Sequence, residues 1–146
     1  MKPSGSGTRR ILGAHDAYEI ILHDNGRISN NLFAASTNVT YSDTNLINGT
    51  WYHVAVTYDF TDTKELLIYI NGALDGTTSY ADDDPDAGSP LSISIGTRTG
   101  TSNFYAGDID ELTFWNRVLT PTEIYNLNTD GAGRSWYLQL CIDSNC

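Results

Sequence analysis

The sequence predicts an all-β sandwich or jelly roll of two antiparallel sheets with one short helix. The strongest observation is a hairpin, because the runs Glu65–Ile70 and Ala73–Tyr80 flank the dipeptide Asn71-Gly72, which tolerates the positive φ angles of a type I′ turn. The preceding run, Trp51–Tyr58, alternates residue types as a half-buried strand does. Further short strands, with turn residues roughly every 8–12 positions, complete the pattern of a sandwich.

Seven further strands are predicted along the chain. The strand Pro90–Gly96 alternates Leu91, Ile93 and Ile95 with serine, which predicts a half-buried strand. In the strand Ile109–Trp115 the apolar positions change parity, which predicts a β-bulge at Asp110-Glu111. In order, the seven are Arg9–Gly13, Ala17–His23, Arg27–Phe33, Val39–Tyr41, Pro90–Gly96, Ile109–Trp115 and Ser135–Ile142.

One short helix is predicted near residues 121–127. Thr120 is a suitable N-cap residue, Pro121 suits the first helical position, and Glu123 stands three residues after the cap. This spacing is that of a capping box, in which the threonine and glutamate side chains each satisfy a backbone N–H. No long helical pattern and no internal repeat accompanies it.

The C-terminal segment, residues 130–146, is expected to add a strand to the domain formed by residues 1–129. It contains both cysteines of the chain, Cys141 and Cys146. Two cysteines at this spacing could close a small disulfide loop in an oxidising compartment, and two free thiols are the equally simple alternative. A metal site on these thiols is not expected, because they have no neighbouring histidine.

The balance of charge excludes some partners. The formal net charge is −10, from 18 acidic and 8 basic residues, which argues against nucleic acid because phosphate binding needs clustered lysine and arginine. No apolar run approaches the ~18 residues of a membrane span. The first residues carry no secretory signal. We therefore expect either an extracellular or secreted location as part of a longer chain, or a protein that stays inside the cell.

Two acidic stretches are candidates for calcium. The first contributes Asp82, Asp84 and Asp86 on a loop bounded by glycine and proline, and Ca²⁺ prefers six to eight oxygen ligands in a flexible shell. Its spacing lacks the alternating pattern of a calcium loop, which favours the alternative of a solvated acidic hairpin tip. The second contributes Asp108 and Asp110. The alternative for this stretch is that Asp110 and Glu111 cap backbone donors at the bulge.

Four aromatic residues are candidates for glycan binding. Sugar-binding surfaces use exposed aromatic rings beside polar groups, and the alternative for any aromatic residue is a place in the sandwich core. The candidates stand in loop-like sequence contexts, and they are Tyr41, Tyr80, Phe104 and Tyr105.

Four motifs together resemble the laminin G-like branch of the concanavalin A-like lectin/glucanase superfamily. The resemblance covers about Lys2 to Leu127, and it implies a jelly roll of two curved antiparallel sheets that recognises glycan or protein, frequently with bound calcium. The motifs are N-G-T-W-Y-H-V-A-V-T-Y-D at 48–59, L-L-I-Y-I-N-G at 66–72, L-S-I-S-I-G at 91–96 and Y-A-G-D-I-D-E-L-T-F-W-N-R-V-L-T-P-T-E-I at 105–124.

The resemblance also bears on catalysis. Related glucanases place their catalytic carboxylates on a strand that reads Glu-x-Asp-x-x-Glu, and the corresponding positions here are Asp108, Asp110 and Thr113. Because threonine replaces the outer acid, a retaining pair of carboxylates is not available on this strand. We therefore predict that the chain is not an enzyme, and a glycoside hydrolase is the least favoured alternative.

Compared with the family pattern, we expect the chain to begin two strands late. Missing strands would leave unpaired sheet edges, which the run Ser135–Ile142 or a second copy of the chain could fill. The sequence thus predicts a non-catalytic recognition module for a glycan or polysaccharide, associated with calcium and capable of forming a homodimer. The alternative is a structural or adhesive module that assembles through its sheet edges.

Overall fold

The computed structural model has an all-β fold with a single α-helix among its described residues. No helix in this part of the chain is long and apolar enough to cross a membrane. The described residues are 1–14, 17–33, 37–59, 62–80, 92–97 and 102–130, together with the backbone of 138–141.

Five antiparallel strands form the first sheet, which we call sheet I. Their order is β5-β4-β3-β2-β9, and each pairs with its neighbours in antiparallel fashion. The strands are β2 (Arg9–Ala14), β3 (Tyr18–Leu22), β4 (Ile28–Phe33), β5 (Thr37–Tyr41) and β9 (Ile93–Ile95). A separate two-stranded ribbon joins β1 (Lys2–Pro3) to β10 (Gly107–Asp108).

The second sheet, sheet II, contains the predicted hairpin. Its order is β11-β12-β6-β7-β8. Asn71 and Gly72 have φ angles of 51° and 78°, as the type I′ turn requires. Strand β12 pairs in parallel with both of its neighbours, a feature that the sequence does not predict. The strands are β6 (Val54–Tyr58), β7 (Glu65–Ile70), β8 (Ala73–Ser79), β11 (Leu112–Trp115) and β12 (Leu138–Cys141).

The hydrophobic core lies between the two sheets, so the sandwich prediction is confirmed. One side of the sandwich is closed, because β5 packs against β7 and β8 and the amide of Asp43 donates to the carbonyl oxygen of Asp75 at 2.8 Å. Because β5 and β8 are the edge strands at this closed side, β9 and β11 are the outermost described strands at the other side. Core residues include Leu12, Tyr18, Ile20, Leu22, Ile28, Leu32, Val54, Val56, Tyr58, Leu66 and Ile68.

The helix α1 (Pro121–Asp130) packs on the outer face of sheet II. Its buried residue Ile124 joins Leu119, Ala55 and Tyr69 in a second, smaller apolar cluster. The predicted capping box is present, since the amide of Thr120 donates to the Glu123 carboxylate at 2.8 Å and the amide of Glu123 donates to Thr120 Oγ1 at 3.3 Å. The helix is confirmed and ends three residues later than expected.

Three details of the sequence prediction are wrong. Strand β6 begins at Val54 rather than Trp51. The predicted strand Ile109–Trp115 is interrupted rather than bulged, because Glu111 has a φ of 49° and its amide is bonded by the Asp110 side chain. Ile93 and Ile95 are about half exposed, since β9 is the outermost described strand of sheet I and its core-facing side is only partly covered.

The C-terminal segment enters sheet II through β12, which lies between β11 and β6. The division at residues 129 and 130 stays a prediction. Cys146 lies outside the described residues, so both alternatives for the cysteines remain open.

Candidate functional site

An exposed tyrosine at the end of β5 lies in a surface pocket at the junction of sheets I and II. The Tyr41 ring is 46% exposed, and the residue lines a pocket of about 300 Å³. We call this pocket the Tyr41 site. It is lined by Tyr41, Asp43, Leu74, Asp75, Gly76 and Thr77.

Two side chains hold the Tyr41 ring. The Arg27 guanidinium lies 5.3 Å from the ring centroid, and the His23 ring lies 5.6 Å away at an interplanar angle of 47°. A cation at this distance is attracted by the negative face of the aromatic ring. His23 is fixed in turn by Ser29, whose Oγ lies 2.9 Å from Nε2. Burial, and then the charge of Arg27, lower the pKa of His23 below its usual 6.5.

The acidic side of the Tyr41 site comes from the junction of the two sheets. The Asp75 carboxylate accepts hydrogen bonds from the amide and hydroxyl of Thr44 at 2.9 and 2.6 Å. The Asp43 carboxylate lies 3.7 Å from Arg27 Nη2. A Cβ added to Gly76 would overlap the carbonyl oxygen of Tyr41, so β8 reaches this close approach only with glycine. The site therefore joins an exposed ring to one cationic and two anionic groups.

The other three aromatic candidates do not join Tyr41. Tyr80 is 6% exposed and its hydroxyl donates to the Asp59 carbonyl, so the expectation that its ring is exposed is wrong. Tyr105 packs against the core, and burial raises its pKa. Phe104 is 60% exposed, but it follows Asn103, whose carbonyl is bonded by β2. Strand β2 is three places from β5, roughly 14 Å across the sheet.

Sequence reasoning missed a buried ion pair on the same outer face. Residues directly opposite each other in neighbouring strands project to the same side of a sheet. The register aligns Glu19 with Asn31 and Asn31 with Val39, and Val39 projects to the same side as Tyr41, two positions along β5. Arg10 Nη2 lies 2.6 Å from Glu19 Oε2, and both side chains are buried. The sequence signal for this ion pair was Glu19 itself, because it is the one charged residue in the otherwise apolar strand Tyr18–Leu22.

The acidic candidates for calcium are not brought together by the described residues. Asp108 forms an ion pair with Lys2 at 2.6 Å, and one oxygen of Asp110 accepts the Glu111 amide. No group of three histidine, cysteine or acidic residues that could hold a metal ion is present in the described ranges. Asp82, Asp84 and Asp86 lie outside those ranges. Calcium binding therefore stays a prediction.

A match to a protein-family model agrees with this architecture. The model of the family Laminin_G_3, described as the concanavalin A-like lectin/glucanases superfamily, matches residues 1–125. The search of curated proteins found no match. A crystal structure of residues 221–444 of an S-layer domain-containing protein from Clostridium thermocellum ATCC 27405 is similar, with 23% identity over 88% of this chain and a TM-score of 0.41. The alignment covers 66% of that chain, slightly less than two thirds.

Proposed function

Because the chain belongs to the concanavalin A-like lectin/glucanase superfamily, we propose that it is a non-catalytic recognition module that binds carbohydrate at the Tyr41 site. We further propose that it works outside the cell as part of a longer protein. Membership of a superfamily does not determine the ligand, so the proposal depends on the chemistry of the site.

The observation that carries the proposal is the exposed Tyr41 ring among charged hydrogen-bonding groups. A pyranose presents an apolar C–H face and a rim of hydroxyls. The C–H face can stack on an aromatic side chain, and the hydroxyls can hydrogen-bond polar groups around the edge of that side chain. Arg27 can donate to sugar hydroxyls, while Asp43 and Asp75 can accept from them. The pocket of about 300 Å³ is at the lower end of the range for small-molecule sites.

Replacing Tyr41 by alanine is expected to weaken glycan binding about tenfold or more, equivalent to about 1.4 kcal/mol. Isothermal titration calorimetry against cellohexaose, xylohexaose and laminarihexaose measures this effect. The matched control is Tyr125→Ala, because Tyr125 is also an exposed tyrosine, 56% against 46% for Tyr41, and it lies on α1, away from the site. We expect this control to bind as the parent protein does.

Three outcomes would contradict the proposal: no heat with any oligosaccharide of a broad panel, equal loss in both variants, or release of reducing ends from the sugars. Release of reducing ends would contradict only the statement that the module is non-catalytic, because it would show that the chain hydrolyses the sugar it binds. The same titration in chelator tests calcium. Unchanged affinity and melting temperature in chelator would contradict the predicted association with calcium.

The second candidate function is assembly through sheet edges. It is favoured by the exposed core-facing residues Ile93, Ile95 and Phe114 on β9 and β11, the outermost described strands at one side of the sandwich. Such edges can pair with a second copy. Light scattering is expected to give a dimer of this 16.0 kDa chain, and Ile95→Lys is expected to return it to a monomer. A parent protein that stays monomeric at high concentration would exclude this candidate.

A further inference from the structure

A second cleft, of about 400 Å³, lies on the outer face of sheet II. The segment that leads from β11 into α1 forms one wall through Val118, Leu119 and Pro121. Leu67 of β7 contributes to the floor. The cleft shares no residue with the Tyr41 site.

The floor of the cleft contains polar groups that the fold does not use. Tyr69 and Thr57 are each only 2% exposed and line the cleft, yet no described residue hydrogen-bonds either hydroxyl. Neither hydroxyl oxygen is among the fully buried polar atoms without a partner, so both oxygens open into the cleft. Both hydroxyls are therefore available to hydrogen-bond a polar ligand there.

The charge of the cleft is negative. Glu65 precedes Leu67 and Tyr69 by two and four positions on β7, so all three project to the same face. Within the described residues the Glu65 carboxylate has no ion-pair partner and no hydrogen-bond partner. Burial, and then the charge of Glu65, raise the pKa of Tyr69 above 10. Both residues line the same cleft.

The neighbouring charges leave Glu65 as the available carboxylate. Asp59 also lines the cleft, but its oxygens accept hydrogen bonds from the amides of Asp62 and Thr63. Arg117, beside the cleft wall, forms an ion pair with Glu123 at 2.7 Å. Among the described residues this leaves a single available carboxylate, which is too small a ligand set for a metal ion. It suits an organic cation, whose aliphatic stem can pack on Leu67 and Pro121.

We propose that this cleft binds the cationic side chain of a lysine or arginine on a partner polypeptide. Glu65 forms an ion pair with the cationic group, and the hydroxyls of Tyr69 and Thr57 accept its remaining hydrogen bonds. The apolar wall contacts the aliphatic stem of the lysine or arginine. The net charge of −10 favours the approach of a cationic segment. This proposal is independent of carbohydrate binding at the Tyr41 site.

The test is a titration of the intact chain with the peptide acetyl-Gly-Gly-Arg-Gly-Gly-amide, followed by amide NMR shifts at low salt. We expect saturable shifts at Leu67, Tyr69 and Val118. The citrulline peptide has the same shape without the charge and is expected to bind about tenfold more weakly. Glu65→Gln is expected to weaken binding about fivefold, and Tyr69→Phe about twofold.

The matched control is Asp130→Asn, which removes one negative charge at the far end of α1, away from the cleft wall at Pro121. It is expected to leave the affinity unchanged. Absence of saturable shifts, equal binding of the citrulline peptide, or equal loss in Asp130→Asn and Glu65→Gln would each overturn the proposal. Shifts at the cleft with cellohexaose but not with the arginine peptide would also overturn it.

Discussion

Replacing Glu19 by alanine is expected to lower the free energy of unfolding by about 3–5 kcal/mol. The Glu19 carboxylate lies 2.6 Å from Arg10 Nη2, and the side chains retain only 3% and 10% of their exposure. Removing the carboxylate leaves a buried guanidinium without its counter-ion, which is the costly half of breaking a buried ion pair. Urea unfolding followed by tryptophan fluorescence measures the loss.

Two controls separate this effect from a general loss of charge. Asp108→Ala breaks the exposed ion pair with Lys2 and is expected to cost less than about 1 kcal/mol. The double variant Arg10→Met with Glu19→Leu replaces the buried pair by apolar groups and is expected to recover most of the lost stability. A Glu19→Ala variant within about 1 kcal/mol of the parent would show that water reaches Arg10 and screens its charge.

The parts of the fold set by short-range chemistry could be predicted from the sequence. Strand β7 has the predicted bounds because the Asn71-Gly72 turn fixes where the hairpin reverses. The start of α1 follows from the capping box of Thr120 and Glu123. In both cases the signal lies within a few residues of the structure that it determines.

The parts set by contacts distant in sequence could not be predicted. Tyr80 has a polar, loop-like context, yet its depth depends on packing under the segment that contains Asp59. The parallel insertion of β12 between β6 and β11 leaves no local signal, because pairing partners depend on the whole sheet. The ion pair of Arg10 and Glu19 likewise depends on the register of β2 against β3.

The same distinction applies to the sites. Tyr41 was found as an aromatic residue in a polar context, but Arg27 and Asp75 reach it from the start of β4 and from β8, which only the folded sheets bring together. The cleft on sheet II had a readable signal. Glu65, Leu67 and Tyr69 alternate along one strand, and this places a carboxylate and a phenol on one face.

Acid is expected to destabilise the domain through His53, which precedes β6 and is fully buried. Burial, and then the charge of the chain's amino terminus, lower the pKa of His53 from 6.5 to about 4. Between these values the unfolded chain binds a proton that the folded chain does not. The stabilising contribution is therefore complete above about pH 6.5 and is lost as the pH falls to 4, by about 3 kcal/mol in total.

Urea midpoints across this pH range, compared between the parent and His53→Gln, isolate this contribution. The variant is expected to lose most of the slope below pH 6.5. His23→Gln is the matched control: burial also lowers the pKa of His23, so this variant should lose its own part of the slope and retain the part that His53 contributes. Burial lowers the pKa of the Met1 amino group from 8.0 to about 6, so its own loss falls mostly above the His53 range. Equal slopes in the parent and His53→Gln would contradict this prediction, because they would mean that His53 has the same pKa in the folded and the unfolded chain.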